Sequence, residues 1–334
     1  MEKIQNIDYN IALWESTYGN TRLEIEITGK QINHVIINTL RRIILTYVPI
    51  YAFSDFNFKK NTTVFNNNYI KLRIKNIPIW GIENKLNIFI AEQKPSEIID
   101  EDEMLNDDID LDTDTNNLNS STLKQFNMFV DYTSTDKDII SVTTDHAKFY
   151  YDEKRINSPY KIPIPLVKLQ PGHTITFTAT SSLGIEKINS IYSPVSVCFY
   201  KEITLSKYIF CIESKGQINE KRIIEVGLIN ILDKLRKIPN ILSTIEIDNK
   251  KDTGDIILMN EDSTLGNLLT TGLQSHKNIK FAGYNIPHLL EEKVVITYKT
   301  KNNENILTIF NDVIEYYISI FELLLEKNKK IKLN

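Results

Sequence analysis

Cysteine, arginine and glycine are scarce in this sequence, and the scarcity of cysteine excludes whole classes of protein. Among 334 residues there are two cysteines, Cys198 and Cys211, which do not form a C-x-x-C pair. A disulfide framework and a zinc site with four cysteine ligands are therefore excluded. The histidines have none of the spacings that metal-binding motifs require; they are His34, His146, His173, His276 and His288. We expect no metal ion and no cofactor.

Long apolar runs and an excess of basic charge are also missing. No apolar stretch approaches the roughly 18 residues that a membrane span requires, and residues 1–8 lack the apolar core of a signal peptide. The formal net charge of −4 is not that of a basic nucleic-acid binder. We expect an intracellular protein that makes no contact with a membrane.

Motifs of catalysis are absent as well. The sequence contains no G-x-S-x-G, G-x-x-x-x-G-K-S/T or G-x-G-x-x-G, and its residues yield no set of nucleophile, base and metal ligand. An enzyme is therefore the least favoured interpretation. The abundant residues are 53 isoleucines, 34 asparagines and 32 lysines, against 7 arginines. Because their codons are A/T-rich, this bias indicates genome composition rather than chemistry.

Periodicity predicts a strand followed by a long helix near the start of the chain. Leu23, Ile25 and Ile27 alternate with polar residues, as in a half-buried strand. Apolar residues then recur at helical spacing over residues 32–47, and a second helix is predicted over residues 219–237, ended by Pro239.

The middle of the chain predicts strands and one acidic segment. Short strands are expected in residues 51–92, around the turn-forming run at residues 66–68, and again between residues 126 and 213. Ten of the eighteen residues from Glu97 to Asp114 are acidic. We interpret the segment near residues 95–122 as a solvated loop, because it has too little apolar surface to offset its ordering entropy. An acidic anchor for a basic partner is the alternative.

The last ninety residues predict a β–α–β–β–α unit that repeats the plan of the first part in reduced form. Its final helix, residues 303–327, has an apolar face so long that a partner helix must cover it. The prediction is an α+β fold in which two units, each an antiparallel sheet with long helices, pack as an intramolecular pseudo-dimer.

The apolar helix faces supply the residues predicted to form this internal interface. Gly266 is included because a glycine inside a helix costs about 1 kcal/mol relative to alanine, which a close approach of another backbone would justify. The full set is Ile36, Leu40, Ile43, Leu228, Leu265, Gly266, Leu268, Leu269, Phe310, Val313 and Tyr317.

Two adjacent arginines, Arg41 and Arg42, fall outside the apolar stripe of their helix. The simplest interpretation is that both arginine side chains are exposed to solvent and bind no partner. In a chain with seven arginines, the adjacent pair favours a multidentate contact with another chain.

At these residues the sequence resembles a known family. Residues 38–45 (Asn-Thr-Leu-Arg-Arg-Ile-Ile-Leu) are similar to the signature of the alpha-like assembly subunits of multisubunit DNA-directed RNA polymerases, which include the third-largest eukaryotic subunit and its archaeal counterpart. The similarity returns at residues 61–64, 69–73, 77–79, 167–172, 183–185, 192–194 and 210–216.

The C-terminal unit resembles the small partner of that family, which is the eleventh eukaryotic subunit or its archaeal counterpart. Residues 261–269 and 281–284 carry this similarity, followed by Pro287 and His288. The two partners look fused, as in polymerases of large nucleocytoplasmic DNA viruses. The resemblance implies three domains: a discontinuous alpha-like dimerisation domain (1–50 and 165–245), an inserted β-rich domain (51–164) and a small-partner-like dimerisation domain (250–334).

The resemblance also implies the function. It is that of a non-catalytic assembly platform, monomeric when isolated, which docks the two largest catalytic polymerase subunits through Asn38, Arg41 and Arg42. A small zinc-ribbon or subunit-ten-like adaptor is a further expected partner, and DNA is reached only through the complex. The expected location is the cytoplasm of a virus-infected host cell, with packaging in the virion as an open question. The alternative is a freestanding protein-interaction module with no polymerase role.

Two departures from the family pattern stand out. Some relatives carry cysteine ligands for zinc or an iron–sulfur cluster in the inserted domain, and this sequence has none there. The glycine-rich run expected near Gly184 is reduced to Gly-Ile-Glu-Lys-Ile-Asn over residues 184–189, so a family contact at that place is not carried over.

Overall fold

A computed structural model gives the fold as two compact units, residues 1–50 with 185–334 (the first unit) and residues 51–184 (the insert unit). Among the helices of the described residues, none combines the length and the apolar character that crossing a bilayer requires. The structure describes residues 8–14, 22–80, 126–135, 137–151, 154–242, 252–288, 291–301 and 304–330.

The described residues form fourteen strands and five α-helices. In chain order they are β1 (Asp8–Trp14), β2 (Arg22–Thr28), α1 (His34–Tyr47), β3 (Ile50–Asn61), α2 (Asn67–Lys75), β4 (Phe126–Thr133), β5 (Ile140–Thr143), β6 (Ala147–Tyr151), β7 (Lys154–Ile156), β8 (Pro165–Leu169), β9 (Thr174–Gly184), β10 (Val195–Thr204), β11 (Lys207–Ser214), α3 (Glu220–Leu242), β12 (Thr253–Met259), α4 (Ser263–Ser275), β13 (Ile279–Asn285), β14 (Lys293–Thr300) and α5 (Ile306–Lys330).

Within the first unit, residues 8–50 and 185–242 form what we call the large half. Its antiparallel sheet has the strand order β1-β2-β11-β10. As the alternation predicts, Leu23, Ile25 and Ile27 of β2 are buried. The side chain of Asn33 caps α1 by accepting a hydrogen bond from the Ile36 amide at 3.0 Å.

Residues 252–330 of the first unit form the small half, which repeats the plan of the large half. Its antiparallel strands lie in the order β12-β14-β13, the same arrangement as β2-β11-β10. Helix α4 follows β12 as α1 follows β2, and α5 follows β14 as α3 follows β11. The predicted α+β class and the β–α–β–β–α order of the C-terminal unit are therefore confirmed.

The insert unit contains a five-stranded sheet of order β3-β9-β4-β6-β7 and a β5-β8 pair. Its core is aromatic: the ring of Phe126 lies 5.9 Å from that of Phe53 and 5.8 Å from that of Phe149. The boundary predicted at residue 165 differs from that of the compact units, because β8 pairs with β5 and β9 pairs with β4. The chain returns to the first unit at Ile185.

Two local predictions are corrected by the structure, and a third cannot be compared with it. Residues 67–75 form a helix where strands were expected, since Asn66 caps it and Ile70 and Ile74 are buried one turn apart. Helix α3 continues past Pro239 to Leu242, since a proline near a helix end removes only one hydrogen bond and the preceding Ile238 is buried. The acidic segment of residues 97–114 lies outside the described residues.

Candidate interaction surfaces

Four helices of the first unit meet where the large and small halves join. Helix α1 packs against α4, and α3 packs against α5, so each helix contacts its equivalent in the other half. Within the halves, α1 also contacts α3, and α4 contacts α5. This is the arrangement of a twofold dimer, made here within one chain.

The residues predicted for the internal interface lie on these four helices and are buried. Each of the ten apolar residues in that set is at most 2% exposed. Burying one such side chain contributes about 1.5–3 kcal/mol relative to leaving it in water. They are Ile36, Leu40, Ile43, Leu228, Leu265, Leu268, Leu269, Phe310, Val313 and Tyr317.

Gly266, the remaining member of that set, packs closely against strands of its own half. A β-carbon at this position would lie 2.8 Å from Val294 Cγ1 and 3.1 Å from Tyr284 Cδ2. Both neighbours belong to strands of the small half, so Gly266 lets α4 approach its own sheet. The sequence predicted a close approach of another backbone at Gly266, and the atoms nearest to it are side chains of its own sheet.

Two other helical glycines allow helices to approach each other closely. A β-carbon at Gly227 of α3 would lie 2.8 Å from Ile44 Cγ1 of α1. One at Gly272 of α4 would lie 2.7 Å from Tyr317 Cε2 of α5 and would also meet Val313. The sequence signal was present in both cases, because an interior helical glycine is unfavourable unless packing requires it.

Arg42, one of the residues predicted to contact the large polymerase subunits, contacts the small half within this chain. Its Nε donates a 2.8 Å hydrogen bond to Thr264 Oγ1, and its guanidinium lies 3.6 Å from Asp262 Oδ2. Asp262 is also the N-cap of α4 and accepts from the Thr264 amide at 2.7 Å. The Arg42 side chain is still 39% exposed.

Arg41 is directed differently, because adjacent residues of a helix point about 100° apart. Its Nε donates a 3.0 Å hydrogen bond to Asn38 Oδ1, one turn earlier on α1. Its charge also acts on Cys198 of β10: burial raises the pKa of this thiol to about 12, and Arg41 lowers it in part. The structure therefore brings Asn38 and Arg41 together and separates Arg42 from them.

Beside Arg41, strand β10 forms the end of the four-stranded sheet and is largely exposed. Its apolar side chains reach solvent to an unusual degree: Val197 is 37%, Phe199 43% and Ile203 43% exposed. Leu205, in the turn that follows, is 84% exposed. An apolar strand edge of this kind can pair with an extended segment of another protein.

A second polar cluster, which sequence reasoning missed, surrounds the C-terminal end of α1. Lys234 of α3 lies 2.9 Å from Glu261 Oε2 and 4.4 Å from the centre of the Tyr47 ring. Lys187 lies 2.8 Å from Glu292 Oε2 and 5.5 Å from the same ring. The residues of these ion pairs are 27 and 105 positions apart, so no local pattern could have indicated them.

Burial shifts the protonation equilibria in this cluster. Burial raises the pKa of Glu261, although the adjacent Lys234 lowers it in part. Burial alone lowers the pKa of Lys187, but the hydrogen bond to Glu292 and the nearby Tyr47 more than offset this, so the pKa is raised overall. Removing the Glu261 carboxylate from water is thus not fully compensated by its partner.

Helices α3 and α5 also exchange polar contacts between the halves. Arg236 lies 2.6 Å from Glu322 Oε1. Near the start of α3, Asn328 Nδ2 donates to the Lys221 carbonyl at 3.1 Å, and Lys221 Nζ donates to the Lys329 carbonyl at 3.2 Å. The start of α3 therefore meets the end of α5, and the two helices run in opposite directions.

Within the part of the chain that the structure describes, no group of three or more His, Cys, Asp and Glu residues is arranged to hold a metal ion. The geometry described above consists of apolar helix faces, a strand edge and ion pairs. This chemistry suits association between proteins.

Comparison with known proteins agrees with this geometry. Two models described as the RNA polymerase Rpb3/Rpb11 dimerisation domain match the chain, one over residues 26–235 and the other over residues 253–327. The two matches fall on the two halves, and the longer one also spans the insert unit.

Individual relatives fall into two groups. Protein R470 of Acanthamoeba polyphaga mimivirus, which is named as a DNA directed RNA polymerase subunit, is 26% identical over 329 residues, covering 90% of this chain and 89% of that protein. The Caenorhabditis elegans protein named as RNA polymerase II subunit RPB11 is 43% identical over 60 residues, which are 18% of this chain and 49% of that protein. The protein named as RNA polymerases I and III subunit RPAC2 of the same organism is 35% identical over 66 residues, 20% of this chain and 46% of that protein. The chain therefore spans about half the length of these two small relatives.

Proposed function

Because the chain belongs to the RNA polymerase Rpb3/Rpb11 dimerisation-domain family, we propose that it is the assembly platform of a DNA-directed RNA polymerase. In this proposal the chain supplies no catalytic group of its own. It joins both members of the alpha-like heterodimer and docks the two largest, catalytic subunits.

The observation that carries the proposal is the match of one dimerisation-domain family to both halves of the chain. In the structure, the same two halves meet through equivalent helices, α1 with α4 and α3 with α5. A covalent tether replaces the association of two chains by an effective concentration on the order of mM. The platform is therefore expected to be a monomer when isolated, since its dimerisation surfaces are already paired.

The docking surface that we propose combines Asn38 and Arg41 with the exposed edge of β10. Arg41 offers guanidinium donors next to an apolar strand edge, which suits a large subunit that presents carboxylates or carbonyls beside an extended segment. Arg42 contributes only the donors that its contact with Asp262 and Thr264 leaves free.

One relative supports a further part of the proposal. The mimivirus relative covers 90% of the chain, which supports a viral polymerase acting inside the infected cell. A small zinc-ribbon or subunit-ten-like adaptor is the third partner that we propose. Packaging of the protein in virions is an additional proposal.

The first test is purification of the tagged chain from its native source, followed by mass spectrometry of stoichiometric partners. Recovery of two very large polymerase subunits is expected. Recovery of the chain alone, or with unrelated proteins, would favour a freestanding interaction module.

Charge reversal tests the docking surface. Arg41→Glu should reduce recovery of the large subunits at least tenfold while the monomer and its thermal unfolding are retained. Lys161→Glu, at an exposed lysine of the insert unit, is the matched control and should not change recovery. Equal recovery with both variants would remove Arg41 from the docking surface, and loss of folding would make it a structural residue.

A further inference from the structure

Among the described residues, four ion pairs join the large half to the small half, and they share one polarity. The cation comes from the large half and the carboxylate from the small half in every one of them. The pairs are Arg42–Asp262 at 3.6 Å, Lys187–Glu292 at 2.8 Å, Lys234–Glu261 at 2.9 Å and Arg236–Glu322 at 2.6 Å.

The four pairs occur at both places where equivalent helices meet. Arg42, Lys187 and Lys234 lie around the end of α1 and the start of α4, where Lys187 also donates its backbone amide to the Thr46 carbonyl at 3.1 Å. Arg236 and Glu322 join α3 to α5. The polarity is therefore a property of the whole junction and not of one loop.

A competing arrangement exists because the two halves share one plan. A helix face that pairs with its equivalent in the other half can also pair with the same face of a second chain, as in an isologous dimer. The apolar residues would be buried in either arrangement, so burial by itself does not select between them.

The charges do distinguish the two arrangements. Asn33 caps α1 as Asp262 caps α4, so Arg42 would meet a neutral cap in a pairing of two large halves. Arg236 and Glu322 each stand sixteen residues after the first residue of their helix. Two large halves would therefore place Arg236 against Arg236, and two small halves would place Glu322 against Glu322.

Burial strengthens the preference for unlike halves at the Lys234–Glu261 pair. The side chains of Lys234 and Glu261 are 19% and 13% exposed, and together they gain little net stability because both lose water. Removing only one partner leaves the other charge buried and unpaired, which is strongly unfavourable. Such a pair contributes more to the choice of partner than to stability.

We propose that this cross-half charge set (Arg42, Lys187, Lys234 and Arg236 with Asp262, Glu292, Glu261 and Glu322) selects the pairing of one large half with one small half. It excludes pairing of like halves between chains. The partner that fits the four cations of the large half is thus a surface that presents carboxylates as the small half does. The inference concerns closure of the isolated chain and does not depend on the polymerase role.

The test reverses charges in the full chain and leaves Arg42 unchanged, because it lies beside the proposed docking surface. The large-half reversal is Lys187→Glu, Lys234→Glu and Arg236→Glu. The small-half reversal is Glu261→Lys, Glu292→Lys and Glu322→Lys. A six-residue variant combines both. The matched control reverses three exposed lysines that belong to none of the four pairs, by Lys30→Glu, Lys59→Glu and Lys161→Glu.

Thermal unfolding and light scattering are measured for each variant. Each three-residue reversal should lower the unfolding temperature by about 5 °C or more relative to the control, and the six-residue variant should regain most of that loss. The two reversals cannot close on themselves but are complementary to each other, so an equimolar mixture should form a complex of two chains. The six-residue variant should be monomeric.

Several results would overturn the proposal. One is that both three-residue reversals unfold at the temperature of the control. Another is that the six-residue variant is no more stable than either three-residue reversal. This second result would count against the proposal even if one of the reversals does not fold. Absence of a two-chain complex from a mixture of folded reversals would contradict it as well. None of these results bears on the co-purification of large subunits, which tests the proposed function separately.

Discussion

The large half and the small half share a fold plan, yet they differ in their additions and in the sign of their facing charges. Each has three corresponding antiparallel strands and two corresponding helices. The large half adds strand β1 and carries the insert unit between α1 and β10, where the small half passes from α4 to β13 within a few residues. The corresponding strands and helices bury apolar surface in the same way in both halves. Any distinct role of one half must therefore come from the added segments or from the facing charges.

In both halves, a glycine allows two helices to pack closely. Gly227 admits Ile44 of α1 in the large half, and Gly272 admits Val313 and Tyr317 of α5 in the small half. The glycine lies on the second helix of one half and on the first helix of the other. Both halves therefore need a small residue where their two helices meet, but the helix that carries it differs between them.

The largest expected effect comes from removing equivalent leucines. Leu40 and Leu269 each stand six residues after the first residue of α1 and α4, and both are buried. Leu40→Ala and Leu269→Ala should each lower the free energy of unfolding by about 2–5 kcal/mol, because each leaves a cavity in the helix junction. Urea unfolding measures both.

Leu205→Ala, at a side chain that is 84% exposed, is the reference and should change that free energy by less than about 0.5 kcal/mol. If either buried leucine behaved like Leu205, the two halves would not share a common core.

A smaller effect is expected from the glycines, and it should differ between the halves. Gly272→Ala should cost about 1–3 kcal/mol of unfolding free energy, because the new methyl group meets the rigid ring of Tyr317 as well as Val313. Gly227→Ala should cost less, because its main contact is Ile44, whose side chain can rotate, and because alanine favours helix by up to about 1 kcal/mol. Urea unfolding of both variants gives the order, and the reverse order would contradict the assigned contacts.

The smallest effect is a pH dependence at Glu261. Its folded-state pKa is raised above the ordinary value of 4.5, chiefly by burial and also by Asp262, while Lys234 and Lys187 lower it in part. A carboxyl group with a raised pKa stabilises the fold most when protonated, so its contribution is present below the unfolded-state pKa and is lost as pH rises through the folded one. Wild type should therefore lose unfolding free energy relative to Glu261→Gln as pH rises from 4.5 to 7.5.

Urea unfolding of wild type and Glu261→Gln at several pH values measures this difference, with Leu205→Ala as the reference for pH effects common to all variants. A difference that changes in the opposite direction would show that Lys234 more than compensates the burial of Glu261.

Sequence periodicity predicted the elements whose pattern is long and one-sided. The alternation of β2, the stripe of α1 and the β–α–β–β–α order of the small half all depend on apolar residues at fixed spacing. Helix α2 was missed because its asparagine-rich start also fits a turn, and its burial rests on only Ile70 and Ile74. The predicted end of the inserted domain, residue 164, precedes the end of the compact insert unit at Gly184, because the patterns of β8 and β9 indicate strands but not the sheet that they join.

The residues of the interaction surfaces also include some that the sequence predicted and some that it did not. All ten apolar residues predicted for the junction are buried, because a helical stripe must be covered by something. The partners of Arg42 and Gly266 were not predictable, since a side chain's neighbours depend on which elements fold against it. Thr264 is 222 residues from Arg42 along the chain, far outside the reach of any local pattern.

The sequence by itself determined the strands and helices with clear periodicity, the repeat of one plan in two halves and the family resemblance. Only the tertiary structure decided that Arg41 and Arg42 point to different surroundings, that Gly266 faces its own sheet, and that the cations of the large half meet carboxylates of the small half. The physical reason is the distance along the chain over which each kind of interaction acts. Backbone preference and apolar spacing act over a few residues, whereas an ion pair or a close contact exists only after distant segments have packed together.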